Sequence, residues 1–167
     1  MASGVRNEKR AAAMLKAVPD GWMATLGARI SEAEPGRVVL ELEAGPQHRH
    51  GGGVVQGGVI TQIADAAMGM SLGTLQEDGL WNTTIELKIN FIRPVISGRI
   101  RAVGRVVEMK QPGEQPGESS PPGGEVARLA RRRGLFFAEA DVLDEQGRLV
   151  ARASSTCLPV PEGQGRE

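Results

Sequence analysis

The chain has one cysteine, two histidines, no tyrosine and 3% aromatic residues. A single cysteine, Cys157, cannot form an internal disulfide, which is typical of proteins from reducing compartments. Basic and acidic residues number 20 each, so the chain lacks both the basic excess and the interleaved aromatics of a nucleic-acid-binding surface. No apolar run approaches the roughly 20 residues of a membrane span, and Glu8 and Lys16 interrupt the N-terminal apolar patch too early for a signal peptide. We therefore expect a cytoplasmic protein with no nucleic-acid or membrane partner.

Several kinds of catalytic site are excluded by what the motifs lack. His48 and His50 are the only histidines, and no cysteine or acid cluster accompanies them, so we predict neither a metal site nor a bound cofactor. The glycines at 51–53 and 57–58 lack the lysine of a P-loop and the spacing of a dinucleotide-binding turn. There is no G-x-S-x-G motif, and Cys157 has no histidine near it in sequence. A serine or cysteine nucleophile is not expected.

The segment from Gly57 to Leu72 is predicted to form a helix around which the rest of the chain is organised. Its apolar residues recur three or four positions apart, at Val59, Ile60, Ile63, Ala66, Ala67 and Met70. Polar positions are few, which is typical of a buried helix. Asp65 stands in its middle, far from the N-terminus where the helix dipole would favour an acid. Asp65 could simply be an aspartate without a catalytic role, on the solvent face of an amphipathic helix. Its apolar surroundings favour a functional carboxylate instead.

The spacing between the helix start and Asp65 has a geometrical consequence. The N–H groups of Gly57 and Gly58 lack partners within the helix and suit an oxyanion or a polarised carbonyl. Asp65 follows Gly57 by eight residues, or roughly 12 Å along the axis. The two groups can act on one carbonyl only if the acid comes from a second copy of the chain. We therefore predict a two-fold dimer with two sites.

The remaining pattern predicts a single α+β domain with about five or six antiparallel strands. In the first half of the chain we expect a helix over 6–17, extended structure over 22–30, a hairpin turn at 34–36 and a half-buried strand over 37–43. After the central helix we expect a strand over 83–91, whose positions 83, 85, 87, 89 and 91 share one face, and a returning strand over 99–106. A last hairpin is expected over 135–143 and 149–158.

The run QGGVITQIADAAMG, followed by TTIELKINFIRPVISGRI, resembles the core of hotdog-fold acyl-CoA thioesterases, specifically the phenylacetate-degradation (PaaI-like) branch. The glycine pair, the acid and the strand ending in Phe91-Ile92-Arg93-Pro94 occur in that branch's order and separation, and the resemblance covers about 27–158. It implies a long central helix wrapped by a curved antiparallel sheet, paired two-fold, with thioester hydrolysis at the dimer interface. Two positions depart from the pattern: Gln56 replaces a histidine, and His50 stands where an asparagine is frequent.

The resemblance also assigns roles. The Gly57 amide would polarise the thioester carbonyl, and Asp65 of the partner chain would activate water or attack directly. Thr84 would hold the water or orient the carboxylate, while Gln56 would hydrogen-bond the thioester or acyl group, although it cannot shuttle a proton. The residues predicted to bind an aryl- or medium-chain acyl-CoA are His50, Gly58, Met68, Arg93, Arg131 and Arg132, the last two through CoA phosphates. The alternative is that these two arginines lie on a solvated loop and bind nothing.

The predicted organisation is an N-terminal helix and lead-in over 1–26, a hotdog domain over 27–160 with a flexible insertion at 110–134, and a disordered tail over 161–167. Dimers could pair further into tetramers. Two other functions stay open: a non-catalytic acyl-CoA-binding dimer, and a hotdog dehydratase, for which His50 would be the sole candidate histidine.

Overall fold

The structure, a computed structural model, describes residues 6–110 and 134–162. In chain order its elements are α1 (Glu8–Lys16), α2 (Gly21–Leu26), β1 (Ala28–Glu34), β2 (Arg37–Ala44), a 3-10 turn (Pro46–His48), α3 (Gly57–Gly73), β3 (Leu80–Phe91), β4 (Gly98–Lys110), β5 (Leu135–Leu143) and β6 (Leu149–Pro161). The predicted central helix, the hairpins β1–β2 and β5–β6 and the α+β class are confirmed. The prediction that the strand over 99–106 returns alongside the strand over 83–91 is wrong, because β4 lies between β2 and β5 while β3 pairs with β6. Most of the predicted insertion, with Arg131 and Arg132, and residues 163–167 of the predicted tail lie outside the described residues.

The six strands form one antiparallel sheet in the order β1-β2-β4-β5-β6-β3, and α3 lies against its face. The helix can approach closely because residue 104 is glycine: a Cβ built at Gly104 would overlap the backbone of Ala67. Side chains from the helix and the sheet then fill the core between them without solvent access. Its fully buried members include Leu40, Leu42, Ile63, Met68, Leu72, Ile100 and Val142.

Two predictions about the first half of the chain are wrong. Part of the segment expected to be extended over 22–30 is the short helix α2. It begins at Gly21, with φ of 49°, and is followed by Gly27, whose φ of 73° is the left-handed conformation that commonly ends a helix. Strand β2 is buried on both faces rather than one. The exposed fraction is 0% for Val39 and 8% for Glu41, and the Glu41 carboxylate is paired with arginines of β1 and β4.

Helix α1 lies against β1, and hydrogen bonds from Asn7 and Arg10 join its first turn to the C-terminal end of α3. The Arg10 guanidinium donates hydrogen bonds to the carbonyl oxygens of Gly73, at 3.2 Å, and Leu80, at 3.1 Å. A cation at this end of a helix is favourable because the last carbonyls carry the negative end of the dipole. The predicted helix over 6–17 is thus confirmed, with its ends at Glu8 and Lys16.

The ends of the predicted insertion and tail are shifted. Lys110 belongs to β4 and pairs with Leu135 of β5, so the two residues that flank the segment 111–134 are neighbours in the sheet. Pro161 ends β6 and pairs with Leu80, which places it in the sheet rather than in the tail. None of the helices in the described ranges has the length and apolarity needed to cross a membrane.

Candidate active site

The start of α3 leaves one backbone donor free. The Gln56 side chain caps the helix, because its Oε1 accepts a hydrogen bond from the Gly58 N–H, and Val59 N donates to the Gln56 carbonyl at 3.0 Å. Within 6–110 and 134–162, no hydrogen bond uses the N–H of Gly57. This N–H lies at the positive end of the helix dipole, so it can donate to an oxygen that carries negative charge.

The ring of Phe91, at the end of β3, lies over Gly57. A Cβ built at Gly57 would be 3.0 Å from Phe91 Cζ, closer than ordinary van der Waals contact. The ring itself is 53% exposed in the protomer. Glycine at residue 57 therefore lets the aromatic ring and the helix start lie side by side, and any side chain there would push the ring aside.

Asp65 lies on the half-buried face of α3 that looks towards β3. The Thr84 hydroxyl donates a hydrogen bond of 2.8 Å to Asp65 Oδ1, which joins two residues predicted to act together. In the single chain Asp65 is half-buried and Gln62, one turn earlier on the same face, is exposed, so this face is less buried than the apolar helix pattern indicates. The carboxylate is therefore both oriented by a hydroxyl and accessible.

A β-bulge in β3 determines which way Thr84 points. Thr84 is paired with Cys157 of β6 and Glu86 with Thr156, so Ile85 is an extra residue in the ladder. In a regular strand Thr84 and Leu87 would face opposite sides of the sheet. Here Leu87 packs on the core while Thr84 reaches Asp65 of α3, so both face the helix. The predicted shared face for positions 83, 85, 87, 89 and 91 is therefore wrong before the bulge.

Behind Thr84 lies the chain's one cysteine. Cys157 is fully buried on the helix-facing side of β6, with its Sγ 3.7 Å from Thr84 Oγ1 and 3.7 Å from Ser155 Oγ. Burial raises the pKa of the Cys157 thiol, and the nearby Asp65 carboxylate raises it further. The sequence showed no signal for this contact, because it depends on the β3–β6 register.

A cleft of about 430 Å³ opens beside Asp65, between α2, α3 and β3. Both tryptophans of the chain, Trp22 and Trp81, line it. Asn82, also in the lining, donates to the Gly69 carbonyl at 2.9 Å, and its buried Oδ1 has no partner among the described residues. The full lining is Trp22, Gln62, Asp65, Ala66, Gly69, Met70, Trp81, Asn82 and Thr84. It combines apolar surface with a few polar groups, as ligand sites commonly do.

The other predicted binding residues are more scattered. Met68 is fully buried in the core, and Met70 lines the cleft instead. His50 is exposed, and its Nδ1 accepts a hydrogen bond of 2.9 Å from the Gly52 N–H. Arg93 is exposed and donates to the Leu149 carbonyl at 2.6 Å. Arg131 and Arg132 lie outside the described residues.

His48, which the sequence analysis considers only as an unsupported metal ligand, positions the chain that leads into α3. It is 4% exposed, its Nδ1 accepts from the Gly45 N–H at 3.0 Å, and its Nε2 lies 2.9 Å from the Leu26 carbonyl. Its own carbonyl accepts from Gln56 N at 2.8 Å. The buried ring thus connects the end of α2 with Gly45 after β2, and the backbone carbonyl of the same residue holds Gln56, which caps α3.

Comparisons with known proteins agree with this architecture. Residues 52–111 match the sequence model of the Thioesterase superfamily. A curated protein of Saccharolobus solfataricus, SSO2140, whose name places it provisionally among the esterases, is 33% identical over 82 residues, which are 49% of this chain. The chain spans 58% of the length of that relative.

Solved structures share the fold along nearly the whole chain. The PaaI protein of the E. coli phenylacetic acid degradation operon superposes with a TM-score of 0.69 at 18% identity, covering 92% of this chain and 96% of that one. A thioesterase family protein of Silicibacter pomeroyi gives a TM-score of 0.68 at 26% identity, covering 92% and 97%. Thioesterase HI1161 of Haemophilus influenzae gives 0.69 at 15% identity, covering 94% of each chain. The chain therefore has the hotdog fold, and its central segment, residues 52–111, matches the thioesterase superfamily.

Proposed function

We propose that a two-fold dimer of this chain hydrolyses the thioester of an aryl- or medium-chain acyl-CoA to the free acid and CoA. The observation that carries the proposal is the hydrogen bond of 2.8 Å between Thr84 and Asp65, made at a cleft that also presents the apolar surface of Trp22, Trp81 and Met70. A carboxylate held by a hydroxyl beside an apolar cavity is a suitable base or nucleophile for a substrate with an apolar acyl group. The superfamily match supports the same chemistry.

Strand β3 supports the dimer. It is the last strand of the sheet, and its large apolar side chains Trp81, Ile85 and Phe91 are 52%, 38% and 53% exposed in the protomer. An edge strand that exposes apolar side chains is typical of a strand that another chain covers. A second copy against this edge would bring its own α3 to the first copy's cleft. The free Gly57 N–H of one copy could then meet the Asp65 of the other.

The helix start would activate the carbonyl. Gly57 N–H and the dipole of α3 stabilise the negative charge that develops on the thioester oxygen during attack. The Gln56 Oε1 is already committed to the Gly58 N–H, so its amide NH₂ is the end available to a substrate. Gln56 therefore acts as a second hydrogen-bond donor in this proposal, and it transfers no proton.

Asp65 would supply the attack in one of two ways. As a base it takes a proton from water while the hydroxide bonds to the thioester carbon, and the expelled CoA thiolate recovers that proton. As a nucleophile it bonds to the carbon itself, expels CoA and leaves an anhydride that water hydrolyses. Thr84 fixes the carboxylate in both cases. The net reaction is the same: one water is consumed, and one acid and one thiol are released.

The acyl group would enter the cleft beside the two tryptophans. The apolar walls formed by Trp22, Trp81 and Met70 suit an aryl ring or a short alkyl chain, and the volume of about 430 Å³ is in the usual range for a small-molecule site. The CoA phosphates would lie outside, where Arg93, Arg131 and Arg132 are the candidate partners. A cytoplasmic location, where acyl-CoA and reduced thiols coexist, belongs to the same proposal.

The test is thiol release from phenylacetyl-CoA and octanoyl-CoA by the wild-type protein and by Asp65→Asn. The variant keeps the size and hydrogen-bonding of the side chain but removes its basicity, so we expect turnover to fall on the order of 10²- to 10⁴-fold. Glu77→Gln, an exposed acid beyond the end of α3, is the matched control and should retain wild-type turnover. Equal rates for Asp65→Asn and wild type would contradict the proposal. Binding of acyl-CoA without thiol release would favour the non-catalytic alternative.

A further inference from the structure

Asp65 is the end of a line of hydrogen-bonding groups that runs into the sheet. Thr84 Oγ1 lies 2.8 Å from Asp65 Oδ1, Cys157 Sγ lies 3.7 Å from Thr84 Oγ1, and Ser155 Oγ lies 3.7 Å from Cys157 Sγ. Both distances to sulfur are within the longer range expected for a sulfur hydrogen bond. Ser155 is 3% exposed and Cys157 is 0% exposed, so the inner part of the line is closed to solvent.

The chemistry of the groups fixes the direction of these bonds. An ionised carboxylate only accepts, so Thr84 must use its one proton on Asp65. The Thr84 oxygen can then only accept from Cys157, which requires the thiol to be protonated. Burial raises the pKa of Cys157 and keeps it so. Cys157 in turn can accept from the Ser155 hydroxyl, and every proton in the line points towards Asp65.

We propose that Cys157 is a positioning residue for the hydrolysis: its S–H donates to Thr84 Oγ1 and so commits the Thr84 proton to Asp65. This inference rests on the proposed function above, but it concerns residues that do not touch the substrate. A threonine hydroxyl that is free to rotate could instead donate to a nearby carbonyl. The thiol removes that freedom, because the orientation in which Thr84 accepts from sulfur is the one in which it donates to the carboxylate.

The strand register supports this role. Thr84 and Cys157 are directly opposite each other across β3 and β6, and the bulge at Ile85 is what puts the hydroxyl on the same side as the sulfur. Ser155, two residues before Cys157 on β6, faces the same side. Ser155 makes no other side-chain hydrogen bond among the described residues, so the sulfur is its partner.

The hydrogen bond can be measured without any activity assay. Since Cys157 is the only cysteine, the infrared S–H stretching band of the protein belongs to it alone. We expect this band to move to higher wavenumber in Thr84→Val, which removes the acceptor at nearly constant shape. Thr83→Val, the same change on the neighbouring exposed residue, is the control and should leave the band in place. An identical band in wild type and Thr84→Val would overturn the proposal.

The catalytic consequence is tested by a double-mutant cycle. Cys157→Ala should lower kcat on the order of tenfold with little change in KM, since a misdirected catalytic group slows the reaction more than it weakens binding. In a Thr84→Val background the same change should have no further effect on kcat, because the group that Cys157 orients is already absent. Val142→Ala, a buried truncation on β5 away from the line, should lower the melting temperature without lowering kcat.

The two measurements separate failure of this proposal from failure of the proposed function. If Cys157→Ala retains wild-type kcat, or costs the same factor in both backgrounds, Cys157 acts only through packing and the inference is wrong. If the wild-type protein releases no thiol from any acyl-CoA, the proposed function fails, and the positioning role in hydrolysis fails with it. The S–H band then still decides whether the hydrogen-bonded line exists.

Discussion

The Thr84 hydroxyl lies 2.8 Å from the Asp65 carboxylate, although Thr84 belongs to the edge strand and Asp65 to the middle of the central helix. The contact depends on Ile85, the extra residue that turns Thr84 towards the helix. β-Bulges often occur beside functional sites because they re-aim a side chain without disturbing the rest of the strand. The same strand end carries Phe91 over Gly57, so β3 contacts both the acid and the helix start of its own chain.

The proposed two-chain site can be tested with mixed dimers. Asp65→Asn chains and Gly57→Val chains should each be inactive, the second because a side chain at residue 57 collides with Phe91. In a refolded 1:1 mixture, half of the dimers pair one chain of each kind, and each of these retains one intact site. We therefore expect about a quarter of wild-type turnover in the mixture. The measurement is thiol release after co-refolding; a mixture no more active than its parents would show that each site belongs to one chain.

Residues close in sequence account for the correct predictions, and residues brought together by the sheet account for the errors. The periodicity of α3 and the short turns of the β1–β2 and β5–β6 hairpins are local, and both predict the observed elements. The pairing of β3 with β6 rather than with β4 is not local. The bulge at Ile85 and the hydrogen bond from Thr84 to Cys157 depend on how β3 pairs with β6, which no local pattern records. The buried position of Glu41 likewise comes from arginines on neighbouring strands.

The candidate site shows the same division. Asp65 stands out in sequence because an acid in an apolar helix contradicts local preference, and its partner Thr84 came from the resemblance rather than from the residues. His48 could not be found, because the carbonyl that it contacts belongs to Leu26, in another part of the chain. Met68 is a predicted binding residue, but the helix turns it into the core and leaves Met70 at the cleft.

Gly104 should be indispensable for stability. Gly104→Ala places a Cβ on the backbone of Ala67, and neither backbone can yield without moving the helix off the sheet. We expect the free energy of unfolding, measured in urea, to fall by about 1–3 kcal/mol. Gly51→Ala, which has open space around the added carbon, is the control and should change stability little. Equal stabilities for the two variants would contradict the close packing of α3 on β4.

The two histidines should differ sharply in their effect on stability. His48→Ala removes both ring nitrogens that satisfy Gly45 and the Leu26 carbonyl in a buried site, so we expect a cost of about 1–3 kcal/mol in the free energy of unfolding. His50→Ala is the matched control, since His50 is exposed and its partner Gly52 can bond to water instead. Urea denaturation of both variants compares them directly. A larger cost for His50→Ala would rule out the structural role of His48.

Asp141 should make the fold sensitive to acid. Burial pushes the pKa of Asp141 upward, but hydrogen bonds and charge from Arg152 and Arg105 outweigh it and hold the pKa below the usual aspartate range. A carboxyl whose pKa is lower in the folded state stabilises the fold above its unfolded pKa, about 3.9, and this contribution is lost as the pH falls through the folded value. The free energy of unfolding should therefore decline below about pH 4. In Asp141→Asn, which is less stable at neutral pH because Arg152 loses its charged partner and Arg105 keeps only Glu139, that decline should be shallower. Urea titrations between neutral and acid pH measure it, and identical slopes for the variant and wild type would show that the ion pairs do not persist in solution.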